Sequence, residues 1–314
     1  MNYRSVRDIS DTIRTNLYKI PESIDLIVGI PRSGLFAASL IGLQKNLNFV
    51  SLEVFLFNGE IRSGSTRFSR NAHIKFPLDA KHILLVDDST SSGASMKSAL
   101  DEMRGTEYTG QISTCAIYTT KEAPAVDIWF EVLPHTRIFE WNLMHREFLS
   151  QCCVDLDGVL CWDPTEEEND DGNKYLEFIA TAKPLLIPSY PIGRIVTSRL
   201  EKYREPTIEW LNKHQINFSQ LDMLDLPDAE TRRRLNIHAK FKSHIYSNDS
   251  AMRLFIESEK NQAVEIARQS GKFALSFSTQ ELFAPGITLP YAKQATQRWF
   301  KKGKKFLSQV MSRK

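Results

Sequence analysis

Two short stretches of this sequence combine acids, small residues and a preceding apolar run in a way that suits phosphate chemistry. The first is Val86-Asp87-Asp88-Ser89-Thr90-Ser91-Ser92-Gly93-Ala94-Ser95. An apolar strand ends in two carboxylates, followed by a small-residue loop and a helical pattern. Backbone amides of a tight loop at a helix N-terminus converge on one point and favour an anion there. Ionised carboxylates only accept hydrogen bonds, so Asp87 and Asp88 suit a pair of sugar hydroxyls rather than the phosphate itself. Upstream, Gly29-Ile30-Pro31-Arg32-Ser33-Gly34 is a glycine-framed turn with one arginine, fit for a second phosphate group.

The second stretch is Asp155-Leu156-Asp157-Gly158-Val159, again at the end of an apolar run. Two carboxylates at a strand end can converge on one metal ion and one phosphate. The first can attack phosphorus. The second can protonate the leaving oxygen and then activate water. Mg²⁺ offsets the repulsion among these anions.

Positioning such groups requires strand ends aligned at one edge of a sheet. The chain alternates apolar runs with helical patterns, the mark of parallel-sheet α/β architecture. In the first half, residues 24–30, 48–57, 82–88 and 112–120 read as strands, with 129–142 as a hydrophobic closing segment. A second series follows, with strands at 152–158, 194–199, 253–259 and 273–277. Its length of 314 residues accommodates two domains. The expected division is residues 1–150, residues 151–285, and a basic tail over 286–314.

Residues 83–95 resemble the PRPP motif of the type I phosphoribosyltransferase family, with serine or alanine where threonine or glycine is frequent. Gly29–Gly34 resembles that family's pyrophosphate loop. The resemblance implies that Asp87 and Asp88 hold the ribose 2′ and 3′ hydroxyls. It implies that Ser91, Ser92, Gly93, Ala94 and Ser95 cradle the 5-phosphate, and that Arg32, Ser33 and Gly34 face pyrophosphate with Mg²⁺. Between these loops, residues 58–70 are rich in glycine and serine and carry Arg62, Arg67 and Arg70, candidates for a lid over pyrophosphate or for a solvated surface loop.

The Asp155/Asp157 motif is similar to that of the haloacid dehalogenase (HAD) superfamily of phosphatases. Thr197 resembles its phosphate-binding second motif. Lys242 fits the third, with Lys240 as the alternative. Ile256-Glu257-Ser258-Glu259 resembles the fourth, with glutamate and serine where aspartates are usual, so the metal ligand beside Asp155 and Asp157 is Glu257 or Glu259. About 35 residues separate the first motif from the next strand, which implies a small cap over an open site. The fold implied is thus two Rossmann-like domains in series, a type I phosphoribosyltransferase fold and a HAD-like fold.

The fusion resembles the dual-domain phosphoribosyltransferase–phosphatase proteins of bacterial surface-polysaccharide assembly. That resemblance implies transfer of ribose 5-phosphate from PRPP to a glycan acceptor, lipid-linked or free, followed by removal of the 5-phosphate. The alternatives are an orotate-like nucleobase phosphoribosyltransferase fused to a nucleotide phosphatase, and a PRPP-sensing regulator. Arg199 and Arg204, near Thr197, could grip substrate or form surface pairs.

Formal net charge is +2, but residues 291–314 hold eight bases and no acid, leaving 32 bases against 38 acids elsewhere. A mildly acidic body argues against a nucleic-acid grip. Trp299, Phe306 and Val310 among the tail's lysines fit an amphipathic helix on anionic lipid, or a solvated terminal helix. The N-terminus is polar and charged, no run of 18 apolar residues occurs, and a cytoplasmic protein is expected. Cys115, Cys152, Cys153 and Cys161 lack zinc-ligand spacing and are expected as reduced core thiols.

Overall fold

The computed structural model describes residues 1–62, 71, 73–121 and 125–285. Arg67, Arg70 and the basic tail lie outside the described residues. The chain divides into two compact units, Met1–Trp141 and Asn142–Lys314, a few residues ahead of the division expected near residue 150.

The first unit opens with β1 (Asn2–Arg4) and α1 (Val6–Asn16). Ser5 caps α1 reciprocally with Asp8, satisfying two otherwise orphaned amides. Then follow β2 (Leu26–Gly29), α2 (Ser33–Lys45), β3 (Asn48–Ser51), α3 (Leu52–Leu56), β4 (His82–Thr90), α4 (Ala94–Arg104), β5 (Gln111–Thr119), β6 (Ile128–Val132) and β7 (Arg137–Phe139). Five strands make an all-parallel sheet in the order β3-β2-β4-β5-β6, and β1 pairs with β7.

β4 explains the unbroken apolar run around residue 84, because a central strand covered on both faces has no polar side. Leu84 and Val86 enter one core with Ile9, Ile13 and Ile41, while Ile83 and Leu85 enter the other with Phe55, Met96 and Met103. Residues 48–57 depart from the expected single strand. Ser51 accepts a hydrogen bond from the Val54 amide, and this N-cap turns Leu52–Leu56 into a helix despite its β-branched and aromatic content.

The second unit contains β8 (Cys152–Val154), α5 (Asn173–Thr181), β9 (Ile192–Leu200), α6 (Arg204–Lys213), β10 (Phe218–Leu224), α7 (Ala229–Leu235), α8 (His238–Asn248), β11 (Leu254–Glu257), α9 (Lys260–Ser270), β12 (Phe273–Ser276) and β13 (Glu281–Phe283). Its sheet runs β10-β9-β8-β11-β12-β13, parallel except for the β13 edge. β8 is therefore central, flanked by β9 and β11. The strand β10 and the helices α7 and α8 were not foreseen from the sequence. Residues 218–224 mix Ser219, Gln220 and Asp222 into the strand because β10 is an edge.

All four cysteines are buried free thiols. Among the described residues, no helix is long and apolar enough to cross a membrane.

Candidate active sites

In the first unit, Asp87 and Asp88 lie near the carboxyl end of the central strand β4 and are almost fully buried. The preceding register is fixed by Gly29 opposite Val86, and the Ile30 amide donates to the Val86 carbonyl at 2.9 Å. The Pro31–Gly34 turn therefore starts beside the acids. Close approach requires Gly34: a Cβ there would stand 2.7 Å from the Val86 carbonyl oxygen and 3.0 Å from Asp87 Cα. Arg32 is exposed at this turn. Ser91, Ser92, Ala94 and Ser95 are exposed, and Gly93 is the N-cap of α4. A groove alongside is lined by Ser92, Gly93 and Ala94 and continues past Lys97 and Arg104. Arg62 is exposed and pairs with Glu60 at 3.9 Å.

The acid pair is electrostatically loaded. Burial, then the adjacent Asp88 carboxylate, pushes the Asp87 carboxyl up to about 8, against the opposing charge of Arg137. Three residues that sequence reading left in the closing segment reach this site. The Trp141 indole donates to Asp88 Oδ2 at 2.9 Å, Arg137 donates to the Thr90 carbonyl at 3.0 Å, and His135 Nε2 lies 3.2 Å from Ser91 Oγ. Trp141 stacks on Phe139 with ring centroids 4.9 Å apart.

In the second unit, Asp155 follows β8 directly. Its amide donates to the Ile256 carbonyl at 2.9 Å, which sets it level with Glu257 on β11. Lys242, from α8, is buried between them, donating to Asp155 Oδ2 at 2.7 Å and Glu257 Oε2 at 2.8 Å. Lys240 is exposed, so the buried cation of this helix is Lys242. Thr197 is buried on β9, and its hydroxyl oxygen accepts from the Arg199 amide at 3.2 Å. Ser258 donates to Asp155 Oδ2 at 3.3 Å and to Glu257 Oε1 at 3.0 Å, whereas Glu259 is exposed.

Arg199 is wholly buried and donates to Asp157 Oδ1 at 2.6 Å and Oδ2 at 3.1 Å. Burial opposes its charge, but the Asp157 carboxylate outweighs that cost and raises the arginine's pKa. Arg204 instead pairs with Glu201 beside it on a half-exposed surface. The acidic insertion folds down through Asp171, which binds Lys202, the Tyr203 hydroxyl and the Ala229 amide, each at 2.9 Å.

Among the described residues, no group of three His, Cys, Asp or Glu side chains converges as a metal cage. Mg²⁺ rarely requires one, since it is held by one or two carboxylates, water and substrate phosphate. The electrostatics fit that ion. Burial and then Glu257 push the Asp155 carboxyl well up, against Lys242. Asp163, unmarked in the sequence, is raised by burial and then by Asp157, Glu259 and Glu257. A Cβ on Gly158 would stand 2.8 Å from Asp163 Oδ2 and 2.6 Å from Ser258 Cβ, so Asp163 and Ser258 both crowd the Asp157 turn. The expected ligand set Asp155, Asp157 and Glu257 is not brought together as a triad, because Arg199 engages Asp157; Asp155 and Glu257 are the groups that would hold a hard divalent ion.

Residues 2–148, just under half of the chain, match the phosphoribosyl transferase domain family. No curated protein matches the chain. Similar solved structures include a purine phosphoribosyltransferase from Pyrococcus horikoshii, at 16% identity and TM-score 0.33, covering 45% of this chain and 92% of that one. The xanthine-guanine-hypoxanthine phosphoribosyltransferase of Helicobacter pylori has the same coverage and TM-score at 14% identity. UMP synthase of Leishmania donovani matches at 17% identity and TM-score 0.25, over 35% of this chain and 21% of that one.

Proposed function

We propose that the chain is a bifunctional ribofuranosyltransferase. Its first unit transfers ribose 5-phosphate from PRPP to a glycan acceptor, releasing pyrophosphate, and its second unit, a HAD-like phosphatase, hydrolyses the 5-phosphate from the product. The observation that carries the second half is Lys242 bridging Asp155 and Glu257 at the carboxyl edge of a central parallel strand. A lysine buried between two carboxylates, with a buried threonine on the neighbouring strand, suits phosphoryl transfer to a carboxylate.

In the first unit, Asp87 and Asp88 accept hydrogen bonds from the ribose hydroxyls. Ser91–Ser95 and the N-terminus of α4 surround the 5-phosphate, and Arg32 and Ser33 meet pyrophosphate. Displacement at the anomeric carbon breaks the bond to pyrophosphate and forms one to an acceptor oxygen. These residues act by holding the leaving group and the sugar as positive charge develops on the ring.

In the second unit, Asp155 attacks phosphorus and the leaving oxygen takes a proton from Asp157. Asp157 then removes a proton from the water that cleaves the acyl phosphate. Lys242 holds Asp155 in place, and Thr197 donates to a phosphoryl oxygen. A bound Mg²⁺ would neutralise phosphate charge in both units. The fusion itself favours sequential use: each transfer leaves a phosphate on the product, and the second unit offers a means to remove it. The small, tied-down acidic insertion is compatible with a bulky phosphorylated substrate.

The test supplies the full chain with PRPP and Mg²⁺ and follows pyrophosphate and orthophosphate. Pyrophosphate release with a glycan acceptor, and orthophosphate release from ribose 5-phosphate that vanishes in Asp155→Asn, support the reading. Pyrophosphate release only with a free nucleobase would assign the first unit to nucleotide synthesis instead.

A further inference from the structure

Among the described residues of the second unit, three basic side chains are buried: Arg199, Arg232 and Lys242. Lys242 is held by Asp155 and Glu257, and Arg199 by Asp157. Arg232, on α7, is only 8% exposed, and no carboxylate among the described residues lies within ion-pair distance of it. Its contacts are neutral: Nη1 donates to the Ser198 carbonyl at 3.0 Å and Nη2 to Asn169 Oδ1 at 3.2 Å. Its Nε is buried with no partner, and so is Ser198 Oγ.

A buried guanidinium without a counter-charge is costly, because arginine does not escape by losing its proton. Such a cation is retained where an anion arrives to meet it. Its location says which anion. Ser198, which anchors it, is the residue after Thr197 on β9. Tyr175 lies in the fields of Asp157, Arg199 and Arg232 alike. His238 lies in the fields of both Arg232 and Lys242, and of Glu257. Arg232 therefore flanks the Asp155 site from the β9 side, while Lys242 flanks it from the β11 side. Lys242 and Arg199 are already balanced by carboxylates, so the charge left for an incoming phosphomonoester dianion is that of Arg232.

We propose that Arg232 is a phosphate ligand of this site, turning its spare N–H groups to a phosphoryl oxygen when a phosphomonoester binds. The assignment rests on reading Asp155 as a phosphoryl acceptor. It adds a cation from α7 to the threonine and lysine that the sequence already placed there.

The probe is trifluoroberyllate with Mg²⁺, a tetrahedral anion that bonds a carboxylate oxygen in place of a phosphoryl group, followed by its bound ¹⁹F resonance on the full chain. Asp155→Asn should abolish the signal, which makes the readout specific to this site. Arg232→Gln keeps hydrogen bonding but removes the charge, and it should weaken binding about tenfold or more. Arg232→Lys keeps the charge and should hold binding within about threefold of wild type. Arg233→Gln, an exposed neighbour, should bind as wild type. Thermal melts of all variants show whether each one folds, and if Arg232→Gln is unfolded, Arg232→Lys against Arg232→Met supplies the same comparison.

Wild-type affinity in a folded Arg232→Gln would overturn the proposal alone. Absence of an Asp155-dependent signal in wild type would overturn both the proposal and the acceptor reading. An Arg232-dependent signal in a chain that releases no phosphate from ribose 5-phosphate would leave the ligand assignment standing and remove only the hydrolase.

Discussion

Arg199 holds both carboxylate oxygens of Asp157 from a wholly buried position, with Thr207 accepting a third N–H at 3.3 Å and Cys161 Sγ at 3.5 Å from Nη2. The clamp fixes the orientation of the carboxylate assigned here to proton transfer. Truncating one member of such a pair strands the other charge in the interior. Arg199→Ala is therefore expected to lose about 3–5 kcal/mol of stability in urea unfolding. A loss near zero would mean that the pair is dispensable to the fold.

Trp141 stands to Asp88 as Arg199 stands to Asp157. Its indole N–H is the only group that separates Trp141→Phe from wild type in hydrogen bonding, since phenylalanine keeps a ring against Phe139. Loss of a hydrogen bond to a charged group costs about 1.5–3 kcal/mol. The expected outcome is a PRPP KM raised about tenfold or more, with kcat changed less. An unchanged KM would show that Asp88 orients without the indole.

Gly34 reports how closely the Pro31–Gly34 turn approaches β4. Gly34→Ala forces a methyl against the Val86 carbonyl and Asp87. The expected cost is about 1–3 kcal/mol of stability, together with weakened PRPP binding by calorimetry, because the Pro31–Gly34 turn must move off β4. Wild-type values for both would place slack in the turn that the distances do not provide.

The Asp87 carboxyl, ordinarily near 3.8 and raised to about 8 by burial and Asp88, makes stability depend on pH in a defined direction. Between these values the folded chain keeps a proton that the unfolded chain releases. The contribution is complete below the unfolded value and is lost as pH rises through the folded one. The wild-type melting temperature should therefore fall relative to Asp87→Asn between about pH 5 and about pH 9 without ligand. Parallel curves would mean that Asp87 ionises freely.

The first domain was legible in the sequence because its chemistry is contiguous. Asp87 through Ser95 occupy one strand, loop and helix start, and β4 is buried on both faces, so its hydrophobic run marks itself. The second site is assembled from five separated segments, and Asp155 and Glu257 become neighbours only through the β8–β11 register. Thr197 and Lys242 were singled out only by their order along the chain, and the structure buries both. The direction of Arg199 was not legible, because its partner Asp157 lies 42 residues away in sequence, and α7, which carries Arg232, is polar without apolar periodicity. Asp163 and Trp141 gave no local signal: each matters through a fold contact with a residue far away in sequence or placed by a turn.

On the proposed function, a phosphate introduced by the first unit is removed by the second. Mass spectrometry of a glycan acceptor incubated with PRPP and Mg²⁺ reads this directly, comparing wild type with Asp155→Asn. The prediction is an acceptor carrying plain ribose from wild type, and one heavier by a phosphate from the variant. Identical products from both proteins, phosphorylated or not, would contradict it.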